Sequence, residues 1–134
     1  MTSKAALCKA LLDGKIVNIM NGFKMFGITN IPREIGRSIE RDPKVTGNGN
    51  DSGFGVEVSR TERDGETRYG QPCNWVDYRL NGTEYNQEGI KKMREYVAKE
   101  LGDYLKELRE KGKKIPDELQ GDYDSKYNQP ELFT

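Results

Sequence analysis

Three arginines at four-residue spacing, Arg33, Arg37 and Arg41, are the side chains of this sequence best suited to bind an anionic partner. Arginine carries a planar, permanently charged fork that can hold a phosphate or a guanine edge through two hydrogen bonds. Because helical residues four apart share a face, a helix here would carry all three along one basic edge. Thr29 and Asn30 precede that edge, where the free N–H groups of a helix N-terminus favour a phosphate. The pattern predicts contact with DNA.

A second basic group surrounds the predicted tip of a β-hairpin and consists of Arg60, Arg63 and Arg68. Such a hairpin can lie along the phosphate backbone or in the minor groove, and arginine suits both surroundings. Three aromatic residues lie near the same hairpin: Tyr69, Trp75 and Tyr78. They could stack on bases, but strand aromatics more commonly pack in a core, and we favour the core.

Interspersed carboxylates offer a competing explanation, in which Glu34, Glu40 and Asp42 pair with the arginines of the first group. The chain carries 22 Lys and Arg against 22 Asp and Glu, and residues 1–80 carry 12 basic and 10 acidic side chains. This balance predicts weak and strongly salt-dependent binding to DNA, unless the protein dimerises or a partner brings it to DNA.

The composition excludes several kinds of catalytic site. With no histidine, the chain has no Ser-His-Asp or Cys-His catalysis and no His-ligated metal. Cys8 and Cys73 form no CxxC pair and follow no secretory leader pattern, so reduced thiols in a cytosol are expected. No apolar run is long enough to span a bilayer. We therefore expect a cytoplasmic, non-enzymatic protein without metal, cofactor or membrane association.

Three short helices are predicted in residues 1–42. Ser3 is a good N-cap for the first helix, and Asp13-Gly14 ends it. The apolar face of this helix comprises Ala6, Leu7, Ala10 and Leu11. Ile16-Val17 is short enough to form only a brief strand before the second helix.

The turn between the second and third helices is typical of a helix-turn-helix. Asn18 caps the second helix, and Gly27 stands where a left-handed C-cap is needed. Thr29 or Asn30 caps the third helix, with Pro32 in its first turn. The apolar stripe is Ile19, Phe23 and Phe26 in the second helix, and Ile31, Ile35 and Ile39 in the third. Burial of the isoleucine stripe would turn the arginines of the third helix outward.

A two-stranded wing is predicted after a loop rich in glycine and asparagine, residues 44–53. The first strand runs from Phe54 to Arg60, Asp64-Gly65 signals a tight turn, and the second strand runs from Trp75 to Leu80. The inward residues are Phe54, Val56 and Val58, and Val76, Tyr78 and Leu80. Three helices followed by this hairpin predict an α+β, winged helix-turn-helix domain over residues 1–82.

Residues 83–112 are predicted to form an amphipathic helix, and residues 113–134 a flexible tail with almost no apolar periodicity. Asn86 can cap the helix, and Gly102-Asp103 could break it. The apolar stripe consists of Ile90, Met93, Val97, Leu101, Leu105 and Leu108. Either the winged domain or a second copy in a homodimer must cover this stripe, and the sequence leaves both open.

Four short segments carry a resemblance: Leu12-Asp13-Gly14-Lys15, Phe26-Gly27-Ile28-Thr29, Arg33-Glu34-Ile35 and Tyr78-Arg79-Leu80. They resemble the small helix-turn-helix domains frequent in phage and prophage proteins, over about three fifths of the chain. The resemblance implies double-stranded DNA as partner, a recognition helix from Asn30 to Arg41, and a role in transcription regulation or DNA replication. The loop 44–53 is longer than this family's pattern, which leaves the start of the first wing strand open.

The last residues carry a second resemblance. Gln129-Pro130-Glu131-Leu132-Phe133 is similar to the peptide that binds the bacterial sliding clamp, with Gln first, an acidic or serine residue third and Leu-Phe last. Leu132 and Phe133 would enter an apolar pocket while Gln129 hydrogen-bonds at its rim. The resemblance implies recruitment of the host clamp through a tether that raises effective concentration.

Two functions are consistent with the sequence. The first is a DNA-binding protein of phage or mobile-element type in a bacterial cytoplasm, in which Asn30, Arg33 and Arg37 contact the major groove and the hairpin arginines contact the backbone. In the second, the winged helix is the scaffold of an adaptor or inhibitor that binds a protein and not DNA. A structural protein packaged with a virion is a third alternative.

Overall fold

The computed structural model describes residues 1–42, 53–80 and 87–127. Within them the chain forms an α+β fold with one antiparallel, two-stranded sheet. The helices are α1 (Ser3–Leu12), α2 (Ile19–Phe26), α3 (Ile31–Ile35), α4 (Gln87–Glu110) and α5 (Gln120–Tyr127), and the strands are β1 (Ser59–Glu66) and β2 (Pro72–Arg79). Three helices followed by a hairpin is the order expected from the sequence.

The N-cap of the first helix lies one residue earlier than predicted. Thr2 caps α1 by accepting a hydrogen bond from the Ala5 N–H (3.2 Å). The prediction of Ser3 is wrong because its hydroxyl donates to the Phe26 carbonyl (2.7 Å), which fastens α1 to the end of α2. The predicted caps Asn18 and Asn30 are confirmed.

The contact between α2 and α3 depends on glycine. Gly27 ends α2 in the left-handed conformation, at φ +70°, and lets α3 fold back across α2. At the crossing, a Cβ on Gly22 would lie 2.2 Å from Ile31 Cδ1. Since Ile31 is fully buried, a side chain at position 22 would push the two helices apart.

The predicted stripe of the third helix is confirmed, and that of α2 is confirmed for Phe26 but wrong for Ile19 and Phe23. Ile31, Ile35 and Ile39 are fully buried. In α2, by contrast, Ile19 and Phe23 are largely exposed, because close contact with α3 turns Gly22 and Phe26 toward the core. The core cluster also contains, from other elements, Leu7, Leu11, Val17, Val56, Val58, Tyr78, Met93 and Val97.

The hairpin begins later in the chain than predicted. Residues 53–58 lie against the end of the third helix, where the Phe54 and Val56 N–H groups both donate to the Ile39 carbonyl (2.8 and 3.2 Å). Strand β1 therefore starts at Ser59, and the predicted turn Asp64-Gly65 lies within it. The actual turn, at residues 67–71, uses a left-handed glycine, Gly70, at φ +79°.

A short third segment joins the sheet on the other side of β2. The Val17 N–H donates to the Tyr78 carbonyl (2.9 Å), and the Tyr78 N–H donates to the Val17 carbonyl (2.7 Å). The strand predicted at Ile16-Val17 consists of this single bridge. It ties the connection between α1 and α2 to the base of the hairpin.

The long helix α4 is unbroken through Gly102-Asp103, and its stripe is covered by the same chain. Met93 and Val97, with Ile90 beside them, belong to the core beneath α1. Leu105 and Leu108, with Leu101, form a second cluster under Ile115, Leu119, Tyr123 and Tyr127. Of the two predicted partners, the structure shows packing on the chain itself, so this stripe is not available to a second copy.

The predicted flexible tail is wrong for its first part. Residues 117–119 form a 3-10 turn and α5 follows, with Leu119 buried against α4. The apolar signal consists of Leu119, Tyr123 and Tyr127 at four-residue spacing, two of them tyrosines, and it is weak in a polar segment. Asn86 and the residues from 128 onward lie outside the described residues.

The two cysteines are free and differ in burial. Burial raises the pKa of Cys8 to about 12, whereas Cys73 is half-buried on the hairpin. We predict that Ellman's reagent at pH 8 labels one thiol rapidly and the other at least about 100-fold more slowly, since only transient opening exposes Cys8. A Cys73→Ser variant should lose the fast phase alone. Equal rates for both thiols would contradict the burial of Cys8.

Candidate nucleic-acid interface

Four of the predicted contact residues line one shallow groove beside the start of α3. They are Thr29, Asn30, Arg33 and Arg37, and Ser3, Gly27, Ile28 and Glu34 complete the lining. The groove has a volume of about 340 Å³. The buried isoleucine stripe on the opposite side of α3 fixes which way these side chains point.

Asn30 and Arg33 are linked through the helix cap. The Asn30 side-chain carbonyl accepts a hydrogen bond from the Arg33 backbone N–H (3.2 Å), which holds the Asn30 amide at the groove. The Arg33 guanidinium is exposed, and no acidic side chain of the described residues lies within ion-pair distance of it. Arg33 therefore has a free fork beside an orienting amide, an arrangement that suits a phosphate or a base edge.

Arg37 shows that part of the ion-pairing alternative is correct. Its Nε lies 3.3 Å from Glu34 Oε2, while Glu34 Oε1 accepts a hydrogen bond from the buried Ser38 hydroxyl (2.6 Å). The Arg37 side chain remains about two fifths exposed (41%). Glu34 thus restrains Arg37 without enclosing it, and a phosphate would have to compete with this carboxylate.

The edge formed by Arg33, Arg37 and Arg41 does not continue as a regular α-helix. Residues 36–40 form a π-helical turn, closed by a hydrogen bond from the Arg41 N–H to the Gly36 carbonyl (2.9 Å). The wider turn rotates the following residues away from α-helical positions. Arg41 is the C-cap, with extended backbone (ψ 136°), and so leaves the predicted common edge.

Arg60 is a structural residue at the base of the hairpin. Both of its terminal nitrogens donate to the Glu40 carboxylate, and Glu40 Oε2 also accepts from the Val58 N–H (3.0 Å). Although burial opposes ionisation, the hydrogen bonds from Arg60 and Val58 outweigh it and lower the pKa of Glu40. The guanidinium also lies 5.2 Å from the Tyr78 ring centroid. Arg60 thus joins the third helix to β1 while 45% of its side chain stays exposed, and its contact with DNA stays a prediction.

Asp77 is a buried carboxylate that joins α2, β1 and β2. Its oxygens accept hydrogen bonds from Asn18 Nδ2 (3.0 Å), Arg63 Nε (3.1 Å) and Trp75 Nε1 (3.1 Å). The hydrogen bond from Asn18 contributes most to lowering the pKa of Asp77, followed by those from Arg63 and Trp75, against the opposing effect of burial. Arg63 is thus held in place, with half of its side chain (54%) still exposed.

The tip of the hairpin presents Arg68 and Tyr69 to solvent. Tyr69 is 85% exposed, and the Arg68 guanidinium lies 5.9 Å from its ring centroid. The preference for core packing is wrong for Tyr69, because the turn at residues 67–71 carries it beyond the sheet. The preference for core packing is correct for Tyr78, which is buried. Trp75 is half-buried, with its ring against Gly65.

The two faces of the hairpin differ in charge. The pairing of β1 with β2 places Arg60 opposite Tyr78 and Glu62 opposite Val76. Since side chains alternate along a strand, Glu62, Asp64 and Glu66 lie on the same face as Arg60, in the part of the hairpin that extends past the core. This acidic face would repel phosphates, so the surface suited to DNA is the tip, together with the opposite face that carries Arg63.

Sequence reasoning missed Asp77 and favoured the core for Tyr69. Strand alternation places Asp77 on the outward side, and two of its three donors, Asn18 and Arg63, come from other elements, so strand periodicity does not mark it. The tail residues Gln129, Leu132 and Phe133 lie outside the described residues, and clamp binding stays a prediction.

Comparisons with known proteins assign no family to this chain. No family model matches it, and neither curated proteins nor solved structures yield a significant match. In the described part of the chain, no three His, Cys, Asp or Glu side chains form a group that could hold a metal ion. Within the same residues no helix is long and apolar enough to cross a membrane.

Proposed function

We propose that the protein is a winged helix-turn-helix protein that binds double-stranded DNA. In this proposal the groove beside α3 contacts the major groove through Asn30, Arg33 and Arg37, and the hairpin tip contacts the backbone or minor groove through Arg68. The observation that carries it is the convergence of these α3 residues on one exposed surface, backed by a buried stripe.

The architecture supports the winged-helix assignment. The Val17–Tyr78 bridge adds a short segment from between α1 and α2 to the hairpin that follows α3. The Glu40–Arg60 pair joins the C-terminal end of the third helix to β1, so the two surfaces proposed to contact DNA keep a fixed spacing. A fixed spacing favours simultaneous contact, because little conformational freedom is lost on binding.

The expected affinity is modest and salt-dependent. Of the predicted arginines, Arg60 and Arg63 are held by Glu40 and Asp77, and Arg37 is shared with Glu34. Few phosphates are therefore neutralised, and the dependence of binding on salt should correspond to only a few contacts. A phage or mobile-element origin and a role in transcription or replication are parts of this proposal that rest on the sequence resemblance alone.

Binding to DNA is tested by fluorescence anisotropy with labelled duplexes of pooled random sequence, at low and then moderate salt. We expect binding that weakens as salt rises, with the slope of a few phosphate contacts, and a loss of about tenfold in affinity for each of Arg33→Ala and Arg37→Ala. Arg68→Ala should weaken binding less and reduce the salt slope by about one. Arg94→Ala, on the exposed side of α4, is the matched control and should bind as the parent does.

Two results would overturn the proposal. One is absence of binding at low salt by protein whose circular dichroism shows it to be folded. The other is unchanged binding by the Arg33→Ala, Arg37→Ala double variant. Either would favour the second function, a protein-binding adaptor or inhibitor, for which the engagement of the arginines by Glu34, Glu40 and Asp77 is the specific support.

A further inference from the structure

Three large apolar side chains on one side of α2 are mostly exposed. Ile19 is 56%, Met20 59% and Phe23 64% exposed. Ile19 and Phe23 are one helical turn apart and Met20 lies next to both, so together they form one surface, which we call the α2 face. Neither hydrophobic cluster of the described residues includes any of the three.

Among the described residues, the apolar stripes of the third helix and of α4 are covered, whereas the α2 face is not. The isoleucines of α3 are buried, and α1 and the segment 115–127 cover α4. With about 200 Å² on each large apolar side chain, the exposed fractions leave on the order of 350 Å² of contiguous apolar surface. A patch of this size on a small protein commonly marks an interaction site.

We propose that the α2 face is the surface through which two copies of this chain associate about a two-fold axis. Such an interface places the same patch on both sides, so an uncharged apolar patch meets an identical one. The face itself carries no charge, and Lys24, at its margin, is the one charged residue of α2. Homodimer interfaces are more apolar than other interfaces, which agrees with this composition.

Charge and area decide between a second copy and other occupants. An acidic partner or an anionic membrane would be matched by a ring of basic residues, and α2 supplies only Lys24. Pairing two α2 faces removes about 700 Å² of apolar surface, and the polar margins add to it. That apolar area lies below the roughly 1,200–2,000 Å² of stable interfaces, so the dimer should be weak and reversible.

Self-association would strengthen the proposed DNA binding, but the dimer itself does not require DNA. Two copies would present two α3 grooves, which would offset the small number of free arginines on each chain. The proposed dimer surface is distinct from the predicted α4 stripe, which is buried. Because the dimer is measured without DNA, its failure is separate from any failure of the proposed function.

Sedimentation equilibrium of the full chain from about 10 to about 500 µM tests the proposal, in the concentration range of weak interfaces. The average mass should rise with concentration from the 15.3 kDa of one chain toward twice that value. Phe23→Glu should weaken the association at least about tenfold. Tyr69→Glu is the matched control, since it places the same charge at an exposed aromatic outside the α2 face, and it should dimerise as the parent does.

Far-UV circular dichroism and thermal melting of each variant confirm folding, which exposure of Phe23 should preserve. A parent protein that stays at the mass of one chain throughout the range overturns the proposal. So does a dimer that Phe23→Glu leaves unchanged. A monomeric parent that sediments with phosphatidylglycerol vesicles, but not with phosphatidylcholine vesicles, would assign the α2 face to a membrane surface instead.

Discussion

Replacing Asp77 by alanine is expected to lower the free energy of unfolding by about 3 kcal/mol. The substitution removes three hydrogen bonds at once and leaves the donors of Asn18 and Trp75 in partly buried surroundings. Arg63, which is half exposed, can turn to water and should contribute least. Urea denaturation followed by circular dichroism measures the change.

Two variants define what the carboxylate contributes. Asp77→Asn keeps an acceptor for Asn18 and Trp75 but loses the charge opposite Arg63, so a smaller loss of about 1 kcal/mol is expected. Asp64→Ala removes an exposed carboxylate of the same hairpin that has no bonded partner in the described residues, and should change stability by less than about 0.5 kcal/mol. Equal stability of Asp77→Ala and the parent would show that the three hydrogen bonds do not form together.

The contribution of Asp77 should also depend on pH. Its pKa is lowered in the folded protein, so the ionised carboxylate stabilises the fold fully above the ordinary value for aspartate, about 3.9. This stabilisation is lost as the pH falls through the folded-state pKa. The stability difference between parent and Asp77→Ala should therefore be constant near neutral pH and shrink below about pH 4.

Gly22→Ala is expected to destabilise the protein by about 2 kcal/mol, although alanine is the better helix former by about 1 kcal/mol. The new Cβ would lie 2.2 Å from Ile31 Cδ1 and 2.5 Å from Ile31 Cγ1, inside a packed core. Gly36→Ala is the matched control, because position 36 is also helical and a Cβ there meets no atom within 4 Å. It should leave stability unchanged or raise it by up to about 1 kcal/mol.

A double variant distinguishes overpacking against Ile31 from a general intolerance of substitutions in α2. Ile31→Val alone should cost about 1 kcal/mol, because it removes a buried methyl group. In the Gly22→Ala background the same change removes the contact with Cδ1 and leaves the 2.5 Å contact with Cγ1, so the double variant should be less destabilised than the sum of the two single losses. Strict additivity of the two losses would mean that Ile31 does not limit position 22.

Local signals predicted the parts of the fold that depend on local chemistry. The Asn18 and Asn30 caps, the left-handed Gly27 and the isoleucine stripe each follow from a few neighbouring residues. The α2 stripe was mispredicted because periodicity identifies an apolar side but not whether anything covers it. The rotation of α2 is set instead by Gly22 against Ile31, a contact between two helices.

The candidate site was predictable to the same degree. The α3 residues follow from the buried stripe on the same helix, and the structure places four of them on one groove. The hairpin residues depend on strand register, which the packing of residues 53–58 against the third helix shifts toward the C-terminus. That shift puts Arg60 at the base and Tyr69 at the tip, and neither position has a local sequence signal.

The hydrogen bonds at the end of the third helix also determine where residues can be added to the chain without disturbing the fold. The Phe54 N–H donates to the Ile39 carbonyl (2.8 Å) and the Gly55 N–H to the Arg41 carbonyl (3.0 Å), so the chain is fastened on both sides of residues 43–52. Since the two ends are already joined, residues added between them should leave the third helix and the hairpin in place, because each doubling of a connection between fixed ends costs only about 0.6 kcal/mol. The connection is a place where related sequences can gain or lose residues, or where a whole module could be inserted, while the two proposed DNA-contacting surfaces keep their spacing.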